Sequence, residues 1–73
     1  MKVKIFIEGG YTYGRPDYGR VFMNGREVYI CDYNIPLKVC LKRALKYIGI
    51  KKYRVLKRKR FSDGWEFLVE IGD

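Results

Sequence analysis

Basic residues dominate one continuous part of this 73-residue chain. Between Tyr33 and Ser62 there are eleven lysines and arginines and no aspartate or glutamate. The other five basic residues and all eight acidic residues lie outside this segment and sum to −3, so the net charge of +8 comes from the segment alone. A concentrated positive field of this kind attracts polyanions and speeds their encounter with the protein.

One group of cations in this segment has the spacing of a helix face. Lys38, Lys42 and Lys46 recur every four residues with Arg43 beside them, which on a helix makes a stripe about 12 Å long. Such a stripe can meet the phosphates of a nucleic-acid backbone. The structural alternative is a solubilising outer face, but ordinary outer faces mix charges because like charges four residues apart weaken a helix.

A second group is the run Lys57-Arg58-Lys59-Arg60. In a strand these side chains alternate between two faces, so both faces become basic, whereas one face of a strand normally joins the core. We therefore expect the run to project beyond its sheet as a basic finger. The structural alternative is edge protection, in which lysines on an exposed strand block pairing with another sheet.

The segment 9–20 has a different binding chemistry, because it combines four glycines with tyrosine and arginine. Tyrosine rings can stack on any base, arginine adds cation–π and phosphate contacts, and glycine lets the backbone approach a ligand closely. The same residue types suit protein contacts, and the tyrosines can instead cap the core or extend a strand. The candidate contact residues are Tyr11, Tyr13, Arg15, Tyr18 and Arg20.

The sequence offers little for catalysis. It contains no histidine, one serine and one threonine, so no Ser-base or Cys-His pairing can be assembled. The acidic residues are scattered, and the glycines of segment 9–19 match neither a Walker loop nor a dinucleotide fingerprint. We expect a non-enzymatic protein without metal or cofactor.

The first 33 residues predict one strand, one loop and one hairpin. Residues 2–8 alternate as a half-buried strand, with Lys4 and Phe6 outward and Tyr29 expected near them. Residues 9–19 read as a loop. Asn24-Gly25 between two apolar runs predicts a tight type I′ hairpin within residues 20–33.

The firmest prediction is an amphipathic helix. It follows Pro36, which is tolerated in the first turn, and ends near Gly49, which can adopt a left-handed conformation. Its apolar positions recur at i, i+3, i+4 and i+7, and they are Leu37, Cys40, Leu41, Ala44, Leu45 and Ile48.

The last two strands, residues 53–61 and 65–71, are expected to form a hairpin around Ser62-Asp63-Gly64. A three-residue turn would pair Phe61 with Trp65, and would place Arg60 opposite Glu66 and Val55 opposite Ile71. A two-residue Asp-Gly loop would shift this register by one position.

The element order is therefore β-β-β-α-β-β, which predicts one small α+β domain over residues 1–73. A mainly antiparallel sheet would pack with the single helix. The OB-fold shares this order, so an OB-like barrel and an open sheet are both consistent with it.

Cys31 and Cys40 are the two cysteines. Because Cys40 lies on the apolar helix stripe, we expect a buried free thiol, with a Cys31–Cys40 disulfide as the alternative.

No stretch is apolar and long enough to span a bilayer, and the N-terminus lacks the pattern of a signal peptide, so we expect a cytoplasmic location. The absence of histidine and glutamine and the many charged residues favour a thermophilic source, and a viral origin is consistent with these properties.

These observations predict a nucleic-acid-binding protein of low sequence specificity. The partner would be RNA or single-stranded DNA rather than duplex, since stacking on tyrosines needs exposed bases. The alternative is a protein-interaction module, viral or accessory, that docks on an acidic protein or a nucleoprotein complex. A monomer and a homodimer that covers Phe6 are both compatible with the sequence.

Overall fold

The computed structural model describes the backbone of residues 1–12, 15–31 and 35–72, and the side chains of these ranges except those of residues 10–12 and 15–18. Five strands and one helix follow in the predicted order. They are β1 (Lys2–Thr12), β2 (Arg15–Met23), β3 (Arg26–Cys31), α1 (Leu37–Tyr47), β4 (Tyr53–Phe61) and β5 (Gly64–Ile71).

The first two strands are longer than the sequence indicated. The segment 9–19 was expected to be a loop, but β1 continues to Thr12 and pairs with β2, placing Tyr11 opposite Pro16 and Thr12 opposite Arg15. That expectation was wrong because the tyrosines and threonine favour extended backbone more strongly than the glycines disfavour it. The pairing of β5 with β1 ends at Glu8, so beyond that residue β1 pairs with β2 alone among the described strands.

The hairpin between β2 and β3 confirms the prediction from Asn24-Gly25. Asn24 has φ 53° and Gly25 has φ 81°, and a type I′ turn requires positive φ at both positions. Beyond the turn, a register shift between Val21 and Phe22 lets Tyr29 pair with Val21 and Glu27 pair with Phe22.

The helix is also confirmed, and its C-terminus is closed by backbone hydrogen bonds. Gly49 has φ 91°. Its N–H donates to the carbonyl of Lys46 at 3.1 Å, and the N–H of Ile50 donates to that of Leu45 at 2.9 Å. These two bonds form a Schellman motif, which explains why the helix ends at this glycine.

All strand pairs are antiparallel, and the order in the sheet is β3-β2-β1-β5-β4. This confirms a small α+β fold with an antiparallel sheet and one packed helix. The edge strands β3 and β4 do not pair with each other, so the sheet is open and the OB-like barrel is wrong. α1 packs over β2 and β3 on one face of the sheet. The core between them contains Val3, Ile5, Ile7, Val21, Cys31, Cys40, Leu41, Ala44, Leu45, Phe67 and Val69.

The hairpin of β4 and β5 exists, but its register differs from both predicted ones. Only Ser62 and Asp63 form the turn, so Phe61 pairs with Gly64 and Arg60 pairs with Trp65. Glu66 therefore lies opposite Lys59 rather than Arg60. The turn also contacts β1, where the N–H of Gly9 donates to the carbonyl of Asp63 at 3.0 Å.

A β-bulge at Leu56 changes the phase of β4. Val55 pairs with Val69 and Lys57 pairs with Leu68, so Leu56 is the extra residue. Because neighbouring side chains point to opposite faces, one inserted residue exchanges the faces of everything after it. Lys57 and Lys59 consequently lie on the face away from α1, and Arg58 and Arg60 lie on the face of α1.

Cys31 and Cys40 form a disulfide with a Cα–Cα distance of 5.8 Å. The expectation of a free thiol was wrong, and the alternative that the spacing allowed is the one observed. The bond links the end of β3 to the first turns of α1, and both residues are only 3% exposed. It thus ties the helix to an edge strand of the sheet.

α1 has 11 residues, and the part of the chain described by the structure contains no helix long and apolar enough to cross a membrane.

Candidate functional site

The face of the sheet opposite α1 has no described element packed on it, and we call it the uncovered face. Its members alternate with the core residues along each strand: Lys4, Phe6 and Glu8 alternate with Val3, Ile5 and Ile7 in β1. Cross-strand partners share a face, which brings further residues from β2, β4 and β5 to this surface. They are Arg20, Phe22, Arg54, Lys57, Lys59, Phe61, Glu66, Leu68 and Glu70, and β3 adds Glu27 and Ile30.

Three phenylalanine rings form a row across the centre of the uncovered face. The ring centroid of Phe6 lies 6.4 Å from that of Phe22 and 6.1 Å from that of Phe61. Phe6 and Phe22 are half-buried, and Phe61 remains 38% exposed. Two consecutive strands, β1 and β2, and the distant strand β4 therefore supply one aromatic surface that solvent reaches.

Three lysines surround this aromatic row. Lys4 is in β1 two residues before Phe6, while Lys57 and Lys59 are in the edge strand β4. All three are exposed, and none forms an ion pair with any residue that the structure describes. The Nζ atom of Lys59 lies 5.2 Å from the ring centroid of Phe61, a cation–π distance.

The uncovered face also contains acidic residues, and ion pairs neutralise two of them. Glu70 accepts a hydrogen bond from Arg54 at 2.9 Å, and Glu27 lies 3.9 Å from Arg20. Glu8 and Glu66 have no ion-pair partner among the described residues. The local charge is therefore less positive than that of the whole chain.

A groove of about 420 Å³ runs beside the aromatic row. Phe6 and Phe22 form part of its wall, and the Asn24-Gly25 turn closes one end. Lys4, Glu8 and Glu66 give the groove one positive and two negative charges. It is a shallow surface feature on the uncovered face, with apolar walls and charged rims.

The structure places the predicted helix stripe on the outer side of α1. Cys40, Leu41, Ala44 and Leu45 face the sheet and are buried, while all four basic residues of the stripe are exposed. These are Lys38, Lys42, Arg43 and Lys46. They lie on the opposite side of the sheet from the phenylalanine row.

The predicted basic finger does not form. Residues 57–61 pair throughout with β5, which in turn pairs with β1, so the run is an integral edge strand. Arg58 and Arg60 are exposed on the α1 side, where the helix does not reach them. β1 and β5 separate β4 from β2, over which α1 packs. The basic residues 57–60 of β4 therefore lie about 14 Å from β2, measured across the sheet. The two basic groups do not merge into one surface.

The tyrosine segment is only partly described. Tyr13 lies outside the described residues, and so do the side chains of Tyr11, Arg15 and Tyr18, whose backbones belong to β1 and β2. Arg20 is exposed on the uncovered face beside Glu27. The predicted contact role of these five residues stays a prediction.

Tyr29 is not near Lys4 and Phe6 as expected. It pairs with the buried Val21 and packs against the core on the α1 side, where its ring centroid is 5.2 Å from that of Tyr47. The register shift beside Val21 determines on which face of the sheet Tyr29 lies, and no local sequence signal marks that shift.

Sequence reasoning recognised Phe6 but missed Phe22 and Phe61 as its neighbours. Phe22 lies beside Phe6 through the register of β1 on β2, which the apolar run 21–23 does not reveal because it shows no alternation. The side of the sheet on which Phe61 lies depends on the bulge at Leu56, which no local sequence signal marks.

Among the described residues, no three His, Cys, Asp or Glu side chains come together to hold a metal ion. No protein-family model matches this chain, and the comparisons found no similar curated protein and no similar solved structure. A function for this chain has to be argued from its own residues.

Proposed function

We propose that this protein is a non-enzymatic binder of single-stranded nucleic acid, RNA or DNA, with low sequence specificity. The observation that carries the proposal is the row Phe22–Phe6–Phe61, which is open to solvent and bordered by lysines that form no ion pair with a described residue. The site differs from the sequence-based prediction, because the phenylalanines of the sheet take the stacking role first given to the tyrosine segment.

The aromatic row favours unpaired bases. Every base has a flat face that can stack on a ring, and one such contact contributes about 1–3 kcal/mol. Sheet faces that carry exposed aromatic residues are used in this way by known RNA-binding modules. Paired bases in a duplex keep their faces covered, so the row supports single strands over duplexes.

The lysines supply the phosphate contacts. Lys57 and Lys59 border one end of the aromatic row and Lys4 lies beside its centre. Backbone contacts of this kind position a strand but read no sequence. The net charge of +8 adds long-range attraction, which outweighs the repulsion from the carboxylates of Glu8 and Glu66 on this face.

The test is fluorescence anisotropy with labelled single-stranded RNA, single-stranded DNA and duplex DNA over a salt series. We expect both single strands to bind more tightly than the duplex, and log K to fall by about 0.7 per neutralised phosphate for each unit of log salt. Phe6→Ala and Phe61→Ala should each weaken single-strand binding about tenfold. Val55→Ala, a truncation on the other face, is the matched control and should leave binding unchanged.

Circular dichroism of each variant shows whether it is folded, and Phe61→Ala keeps the test valid if Phe6→Ala unfolds. Absence of binding at low salt would overturn the proposal. A stoichiometric protein partner that persists after nuclease treatment would favour the protein-interaction alternative instead.

A further inference from the structure

The outer face of α1 is a second charged surface that the proposed function does not use. We call Lys38, Lys42, Arg43 and Lys46 the helix stripe. None of the four forms an ion pair with a described residue, and the helix itself contains no acidic residue. Like charges four residues apart weaken a helix, so the stripe lowers stability without a compensating ion pair among the described residues.

The helix stripe and the phenylalanine row point in opposite directions. The buried side of α1, with Leu41 and Leu45, rests on the face of the sheet that carries Ile5 and Val21. The row lies on the other face, and a helix with its side chains is itself about 10 Å thick. A single strand stacked on Phe6 therefore cannot also contact Lys42 unless it passes around an edge of the sheet.

The two surfaces also differ in chemistry. The aromatic row needs exposed bases, whereas the helix stripe offers cations over about 12 Å of length. Tyr47 beside the stripe is 71% exposed, and its ring centroid lies 5.2 Å from that of Tyr29. Contacts made by such cations are to phosphates and do not require unpaired bases, so a duplex backbone with its dense phosphate charge is the matching ligand.

We propose that the helix stripe is a second nucleic-acid site, which takes the phosphate backbone of a duplex. One protein molecule would then hold a single strand on the uncovered face and a duplex on α1, and so bring two nucleic-acid segments together. This inference rests on the proposed function, because the first segment is held by the phenylalanine row.

The experiment is a capture assay with the full chain. Single-stranded DNA is immobilised on beads, protein is added below saturation, and retention of a fluorescent duplex is measured. The stripe variant carries Lys38→Gln, Lys42→Gln and Lys46→Gln. The matched control removes the same charge elsewhere through Arg26→Gln, Lys51→Gln and Lys52→Gln, at three exposed positions.

We expect the parent and the control to retain the duplex, and the stripe variant to retain at least about tenfold less. The anisotropy of the stripe variant with single-stranded DNA should stay within about twofold of the parent. Equal duplex retention by the stripe variant would overturn the inference.

Two other outcomes would also contradict it. If the parent binds the immobilised strand but recruits no duplex, the second site is absent and the proposed function stands. If retention needs Phe6 but not the stripe, two copies of the protein bridge through their sheet faces. Absence of binding to the immobilised strand itself would instead remove the proposed function, so the two failures are distinguishable.

Discussion

The ring of Phe6 lies directly over the backbone of Gly64. A Cβ atom added at Gly64 would lie 2.9 Å from the Cζ atom of Phe6 and would also collide with the carbonyl oxygen of Ile7. Gly64 has no positive φ, so this close approach, rather than backbone conformation, is the reason for a glycine. It allows Phe6 to reach Phe61 across β5 and complete the aromatic row.

Gly64→Ala should therefore destabilise the fold by about 1–3 kcal/mol, the range for inserting a methyl group into a filled space. Urea denaturation monitored by Trp65 fluorescence measures this change. Gly9→Ala is the matched control, because a Cβ there meets nothing within 4 Å, and it should leave the free energy of unfolding nearly unchanged. Equal effects of the two substitutions would show that neither Phe6 nor the backbone of β1 lies against Gly64.

The disulfide predicts a second stability difference. The Cys31–Cys40 bond, with its sequence separation of 9, closes a short loop, and the chain-entropy estimate for such a loop is about 2.5–3 kcal/mol. The double variant Cys31→Ala/Cys40→Ala should lose about this much stability in urea denaturation. Reducing agent should lower the stability of the parent and leave the double variant unchanged. A parent that is insensitive to reduction would argue against the bond.

The packing of α1 predicts a third difference in stability, between a buried and an exposed position of the helix. Leu45 is fully buried between the helix and the sheet, whereas Val39 on the same helix is 36% exposed. Leu45→Ala should cost about 2–5 kcal/mol of unfolding free energy, the usual range for a buried leucine, and Val39→Ala should cost less than about 1 kcal/mol. Thermal denaturation of the two variants compares them. Similar costs would mean that α1 packs on the sheet through a different side.

Much of this fold is predictable from local chemistry. Asn24-Gly25 tolerates the positive φ of its turn, Gly49 closes the helix, and the apolar spacing from Leu37 to Ile48 identifies the buried side of α1. Each of these features depends on residues close together in the sequence, so short-range rules are sufficient.

The features that the sequence did not reveal depend on distant partners. The bulge at Leu56 and the two-residue turn before Gly64 set the register of β4 on β5, and the close approach of Phe6 to Gly64 joins β1 to β5. The disulfide depends on where α1 lies on the sheet. The aromatic row combines three strands, and its members become neighbours only when those registers are known.

The carboxylate of Glu66, which forms no ion pair with a described residue, predicts a gain in binding when it is removed. Glu66 pairs across strands with both Phe6 and Lys59, so it lies where a bound phosphate backbone would pass. A carboxylate about 6 Å from a phosphate repels it by about 0.7 kcal/mol in water, and the substitution removes this repulsion from the binding free energy. Glu66→Gln should therefore raise single-strand affinity about threefold at low salt, measured by anisotropy.

The same substitution provides its own control, because the gain is electrostatic and salt should screen it. Near 1 M salt, where the Debye length is about 3 Å, the parent and Glu66→Gln should bind alike. A loss of affinity would mean that the carboxylate contacts the ligand favourably, for example through the amino group of a base.

The most direct test of the central claim is an NMR titration of the labelled protein with a four-nucleotide single strand. Binding on the uncovered face predicts that the ring and amide signals of Phe6, Phe22 and Phe61 shift first and furthest. Signals from the buried side of α1, such as Leu45, should move little. Saturable binding that leaves the three phenylalanines unchanged would contradict the assignment of the site to this face.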